Sequence, residues 1–308
     1  FGQVSERRKI VQHYGYFATN TGHIVKLDID LQLLNSAIPT DFEAISGTAL
    51  GSGWVEWESM IVDKERDGDV YVAGYWYGDY DPYVGAIFVR LDKDLVIKDG
   101  VFDSGDNHIF AFKITVNPTI ERCYVTGYNI AGPSGGAQLI TFDISDNSMV
   151  RLSTVERGTG NARWQVVNSD GTYTYVSNID SGIDTFEKYD NVVTDSQLAS
   201  IADIEPYVDF EWGIIDNGIW YLASRKGWVY PFSHGKITTI DIAGGNFSKL
   251  SDYWMTYDGL EWRIEYMGFD GTYFYLFLGK RPDAYPGEAW LYKFDKTFNK
   301  IDRMSTPL

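Results

Sequence analysis

The stretch Tyr71-Val72-Ala73-Gly74, with Arg90-Leu91-Asp92 behind it, is written six times along the chain. Its first half returns as Tyr16-Phe17-Ala18-Thr19-Asn20, Tyr124-Val125-Thr126-Gly127, Tyr175-Val176-Ser177-Asn178, Tyr221-Leu222-Ala223-Ser224 and Tyr275-Leu276-Phe277-Leu278-Gly279. Its second half returns as Lys26-Leu27-Asp28, Thr141-Phe142-Asp143, Lys188-Tyr189-Asp190, Thr239-Ile240-Asp241 and Lys293-Phe294-Asp295. The Asp positions 28, 92, 143, 190, 241 and 295 lie 64, 51, 47, 51 and 54 residues apart. A period near 50 residues is that of propeller blades.

Each half is a short apolar run bounded by turn residues, which reads as a strand. A third strand precedes the Tyr strand and carries Trp57, Phe110 to Phe112, Trp164, Trp212 and Trp262. A fourth, weaker one follows the Asp: Leu95 to Ile97, Ser148 to Leu152, Ser196 to Ile201, Leu250 to Tyr253 and Lys300 to Met304. Asp67-Gly68, Asp170-Gly171, Asn217-Gly218 and Asp270-Gly271 fall between the Trp strand and the Tyr strand. These are strong hairpin dipeptides, because Gly, Asn and Asp tolerate positive φ. No sustained helical period is present. The expectation is an all-β single domain over residues 1–308, a six-bladed β-propeller of four-stranded antiparallel blades. The first repeat is short. Phe1 to Gln12 either forms an incomplete innermost strand or pairs with the last blade to close the ring.

The 308 residues carry a formal net charge of −17 and include 10 Trp and 22 Tyr. So acidic a surface repels phosphate backbones, which excludes nucleic acid as a partner and argues against anionic membranes. There is no apolar run long enough for a membrane-spanning helix. A single cysteine, Cys123, rules out an internal disulfide and a cysteine-based zinc site, and its setting reads as core strand. The four histidines show no metal-ligand spacing. A first residue of Phe1 is what leader removal or excision from a longer chain leaves, and points to an exported protein.

The strings Tyr71-Val72-Ala73-Gly74, Tyr124-Val125-Thr126-Gly127 and Tyr175-Val176-Ser177-Asn178 resemble the Tyr-Val-Thr-Asn propeller repeats of archaeal and bacterial surface-layer proteins. They are similar also to the β-propeller repeats of secreted bacterial proteins, where a Tyr-Val-x-Gly strand precedes a Lys-Leu-Asp strand. The resemblance spans nearly the whole chain. It departs in its longer blades and in the Tyr-Leu of copies five and six. It implies a surface or exported setting with binding as the commoner role, and it implies no catalytic residue.

Propeller topology places the long connections between second and third strands on the top face. There the second blade offers Tyr75, Trp76, Tyr77, Asp79, Tyr80, Asp81 and Tyr83. The fifth offers Trp228, Tyr230, Phe232 and His234, and the sixth Arg281, Asp283 and Tyr285. Aromatic faces beside carboxylates suit sugar binding, since rings cover C–H patches and carboxylates accept from hydroxyls. The same aromatics equally suit capping of the blades. A second constellation is the dipeptide Glu56-Trp57, Glu211-Trp212 and Glu261-Trp262, with Arg163-Trp164 in the fourth blade. At one shared register these charges would converge on the upper channel, balanced by Arg163, a cation such as calcium, or protonation. The paired Trp residues read as core.

Three functions fit. The first is an exported or surface-displayed protein, cellular or viral, that binds a glycan or a surface protein through its top face. The second is a hydrolase of sugars or lactones that uses Glu56, Glu211 and Glu261 as an acid and base pair or as calcium ligands. Against it, neither a complete Asp-box motif nor an Asn-rich calcium ligand set is present. The third is a structural module of a surface layer or virion. The leaning is toward a binding protein and away from an enzyme, with no cofactor required.

Overall fold

The computed structural model describes residues 14–303 apart from 20, 29, 31, 47–53, 64, 78–84, 104–108, 130–135, 158–162, 181–182, 192–196, 207, 228–234, 258–259 and 281–288. Blade one is β1 (Tyr14–Ala18), β2 (Ile24–Asp28) and β3 (Leu33–Ala37), followed by helical turns at Pro39–Phe42 and Glu43–Ser46. Blade two is β4 (Trp54–Asp63), β5 (Asp69–Tyr77), β6 (Gly85–Leu91) and β7 (Ile97–Asp103). Blade three is β8 (Ile109–Asn117), β9 (Arg122–Asn129), β10 (Ala137–Asp143) and β11 (Val150–Arg157). Blade four is β12 (Arg163–Ser169), β13 (Tyr173–Asp180), β14 (Ile183–Asp190) and β15 (Gln197–Pro206). Blade five is β16 (Val208–Asp216), β17 (Ile219–Gly227), β18 (Lys236–Asp241) and β19 (Ser248–Trp254). Blade six adds a short β20 (Thr256–Tyr257) to β21 (Leu260–Phe269), β22 (Phe274–Lys280), β23 (Ala289–Phe294) and β24 (Lys300–Arg303).

Every pairing is antiparallel and joins neighbours in sequence, so the six sheets form a six-bladed propeller. The first blade shows three strands, and the segment expected to supply or replace its innermost strand lies outside the described residues. Five apolar clusters hold the ring, one at each interface from blade one against two to blade five against six. Cys123 is fully buried in the second of these, as its strand setting suggests. Each large side chain fully buried here contributes roughly 1.5–3 kcal/mol.

The repeated residues have identifiable tasks. The Asp closes the turn between third and fourth strands. Asp28 Oδ1 accepts from the Asp30 and Gln32 amides, Asp92 Oδ1 from Asp94 and Val96, and Asp295 Oδ1 from Thr297 and Asn299. These bonds replace backbone partners that the turn cannot supply. The Asn299 side-chain amide, first among several donors, holds the Asp295 carboxyl down at about 2.

The Tyr and the basic residue grip the equivalent turn of the following blade. Tyr16 Oη and Lys26 Nζ both donate to the Lys93 carbonyl, each at 2.7 Å. Arg90 donates to the Ile144 and Asp146 carbonyls, and Tyr124 Oη to the Asn191 carbonyl at 2.9 Å. Lys188 Nζ donates to the Gly245 carbonyl while Tyr175 stacks on Phe247, and Tyr221 meets Phe298 edge-on. In the sixth blade Tyr275 instead donates to Asp270, and Lys293 sits over the Tyr273 ring at 3.8 Å.

Candidate functional site

In five blades the innermost strand carries one extra residue at the same place. The pairing skips from Trp57–Gly74 to Ser59–Ala73, from Ala111–Gly127 to Lys113–Thr126, and from Trp164–Asn178 to Val166–Ser177. It skips likewise from Phe210–Ser224 to Trp212–Ala223 and from Ile264–Leu278 to Tyr266–Phe277. Each skip falls between the third and fourth residues of the Tyr motif on the partner strand. The bulged residues are Glu58, Phe112, Gln165, Glu211 and Glu265. A bulge adds twist and re-aims a side chain, and bulges gather beside functional sites.

This overturns the shared register expected of the Glu-Trp dipeptides. Glu56 lies opposite Tyr75, two residues before its bulge; Glu211 is itself the bulge; Glu261 pairs with Thr256 in the β20–β21 hairpin. Arg163, opposite Ile179, shares the level of Glu56 and not of Glu211. The acids that truly share a level are Glu58, Glu211 and Glu265. Two of the Trp residues are nevertheless packed inside: Trp262 is buried, and Trp57 is half-buried with its Nε1 donating to the Gly22 carbonyl of blade one.

The bulges open onto a cavity of about 430 Å³ midway down the innermost strands. Its polar wall includes Glu58, Lys113, Asn168 and Glu211, and its aromatic wall Trp212 and Tyr266. Burial pushes the Glu58 carboxyl up; the Tyr75 hydroxyl and the Lys113 ammonium oppose this, and Glu56 adds to it. Desolvation pushes the Lys113 ammonium down, against the pull of Glu211 and Glu58. Lys113 Nζ lies 6.0 Å from the centroid of the Trp212 ring. Tyr266 is 56% exposed, an open aromatic face in the channel. Gln165 and Glu265 turn away from the cavity: Gln165 Oε1 accepts from the Phe210 amide, and Glu265 covers Gly279.

Trp76 is a correction. It was expected on an exposed loop, but β5 runs on through Tyr77 and Trp76 is 1% exposed in the core between blades one and two. It meets Phe102 edge-on at 6.2 Å. Tyr77 closes β5, with no side-chain position described. Asp79, Tyr80, Trp228, Tyr230 and His234 lie outside the described residues. Glu58, Lys113 and Tyr266 escaped sequence reasoning. The one signal for them was the fixed distance to the Tyr motif once a residue is allowed for the bulge.

No protein-family model and no curated protein matches this chain. Solved structures do. A xyloglucanase of the GH74 type from Xanthomonas campestris superposes with a TM-score of 0.59 at 13% identity, over 96% of this chain and 43% of that one. A protein from Lactobacillus plantarum gives 0.57 at 12%, over 96% and 83%. A protein of the COPII outer coat vertex gives 0.53 at 7%, over 81% and 63%. The likeness is one of fold. An enzyme and a coat component share it, so function must be argued from the cavity.

Proposed function

We propose that this chain is an exported or surface-displayed propeller that binds a glycan in its central channel. The observation that carries the reading is the cavity itself. Its volume suits one or two sugar units. Glu58 and Glu211 supply acceptors for hydroxyls, Lys113 and Asn168 supply donors, and Trp212 and Tyr266 supply faces for C–H patches. Tyr77, Asp79, Tyr80, Trp228, Tyr230 and His234, with Glu56, Arg163 and Glu261, are proposed to extend the contact to a longer chain. The acidity and the surface-layer resemblance favour an extracellular or surface setting.

The test is binding to a broad glycan array, with and without calcium. The Glu58→Gln/Glu211→Gln variant should lose at least about tenfold of any specific signal, since two charged acceptors become neutral amides. A silent array would sink the glycan reading and favour recognition of a surface protein.

A second reading, hydrolysis of sugars or lactones, draws on the raised Glu58 carboxyl, the property of a general acid. Aryl glycosides and lactones incubated with the protein should then turn over, and Glu58→Gln should abolish that turnover. Binding without turnover leaves the first reading alone.

A further inference from the structure

The charge pattern of the cavity narrows the class of glycan, and this inference rests on the reading of the cavity as a glycan site. Lys113 lines the cavity from the middle of β8, facing Glu58 of blade two and Glu211 of blade five. Among the described residues its ammonium has no hydrogen-bond acceptor and no carboxylate within ion-pair distance. Glu58 and Glu211 act on it only at longer range, and the Trp212 ring sits 6.0 Å away. An ammonium in that state has N–H donors with no contacting acceptor, and its counter-charges stand off at a distance.

We propose that the channel selects a sugar unit bearing a single negative charge, with Lys113 receiving the anionic group and Glu58 and Glu211 receiving flanking hydroxyls. A neutral hydroxyl can accept a hydrogen bond from Lys113 but brings no counter-charge into contact with it. A carboxylate or a sulfate ester does both, and charge-assisted bonds are roughly twice as strong as neutral ones. A phosphate ester, carrying close to two charges near neutral pH, meets about twice the repulsion from the two glutamates that a singly charged group meets. The glutamates thus set an upper limit on ligand charge, and Lys113 sets the lower one. Trp212, beside the ammonium, and the open ring of Tyr266 leave apolar faces for the sugar ring.

The experiment uses the full chain on an array that carries neutral, uronic-acid, sulfated and phosphorylated glycans, at about 50 mM and about 500 mM salt. Signals should concentrate on uronate and sulfate units, at least about tenfold above their neutral counterparts and above phosphorylated ones. Lys113→Met should remove that preference, Lys113→Arg should retain it, and melting curves should show both variants folded. Raising the salt should erode the preference in the unaltered protein, which tests the charge without any substitution. Hits confined to neutral glycans, or a preference untouched by Lys113→Met and by salt, would overturn this inference and leave glycan binding standing. An array with no hits would remove both.

Discussion

Replacing Asp69 with alanine is expected to destabilise the propeller by about 3–5 kcal/mol, the cost of stripping one partner from a buried ion pair. Asp69 opens β5 and is 1% exposed. Arg90, 3% exposed, donates to its Oδ2 at 2.8 Å through Nε, with Nη2 also at 2.8 Å. Lys98 meets its Oδ1 at 2.6 Å. Arg90 also grips the Ile144 and Asp146 carbonyls of blade three, so one carboxylate aligns a residue that two blades share. Without Asp69 the guanidinium stays buried between blades with its charge uncompensated. The readout is the denaturant midpoint, with Asp69→Asn beside it as the milder change. A midpoint for the alanine variant within about 1 kcal/mol of the parent would show that the pair is dispensable.

Gly74→Ala is the second large effect, at about 2–3 kcal/mol, in the upper range for overpacking. A Cβ there would sit 2.2 Å from the Glu56 carbonyl oxygen and 2.9 Å from the Trp57 ring. Gly74 pairs with Trp57 immediately before the bulge, so relief of the clash must move the segment that aims Glu58 into the cavity. The variant should therefore lose stability and channel binding together. Gly171→Ala is the comparison: its φ is +92°, yet no atom lies within 4 Å of the added carbon. Its cost is limited to backbone strain, about 1 kcal/mol, and binding is retained. A Gly74→Ala protein that melts and binds like the parent would refute the link between bulge and site.

The blades were legible because the turn and the grip demand particular residues. An Asp closes the third turn, as Asp28, Asp92 and Asp295 do, and a Tyr reaches the next blade's turn, as Tyr16 and Tyr124 do. Those demands recur from blade to blade and leave the same letters behind. The site was legible only as a tendency, namely carboxylates and aromatics near the innermost strands. Its true members were hidden by the bulge. One extra residue shifts which face a side chain occupies, so the repeated dipeptides Glu56-Trp57, Glu211-Trp212 and Glu261-Trp262 aligned in letters and not in space. Trp76 misled for a related reason. A strand that runs three residues past its motif carried an apparent loop aromatic into the core.

From the first blade to the fifth the grips run in one direction, each to the third turn of the blade that follows. For a chain made from its N-terminus, this sets a schedule. Tyr124 lacks its protein acceptor until Asn191 has left the ribosome, so the third blade waits for the fourth. Nascent chains stalled with residue 191 exposed should resist protease across blade three, and chains stalled short of it should not; equal resistance would refute the schedule. Maturation then follows synthesis at a lag of one blade, each unit provisional until its successor arrives.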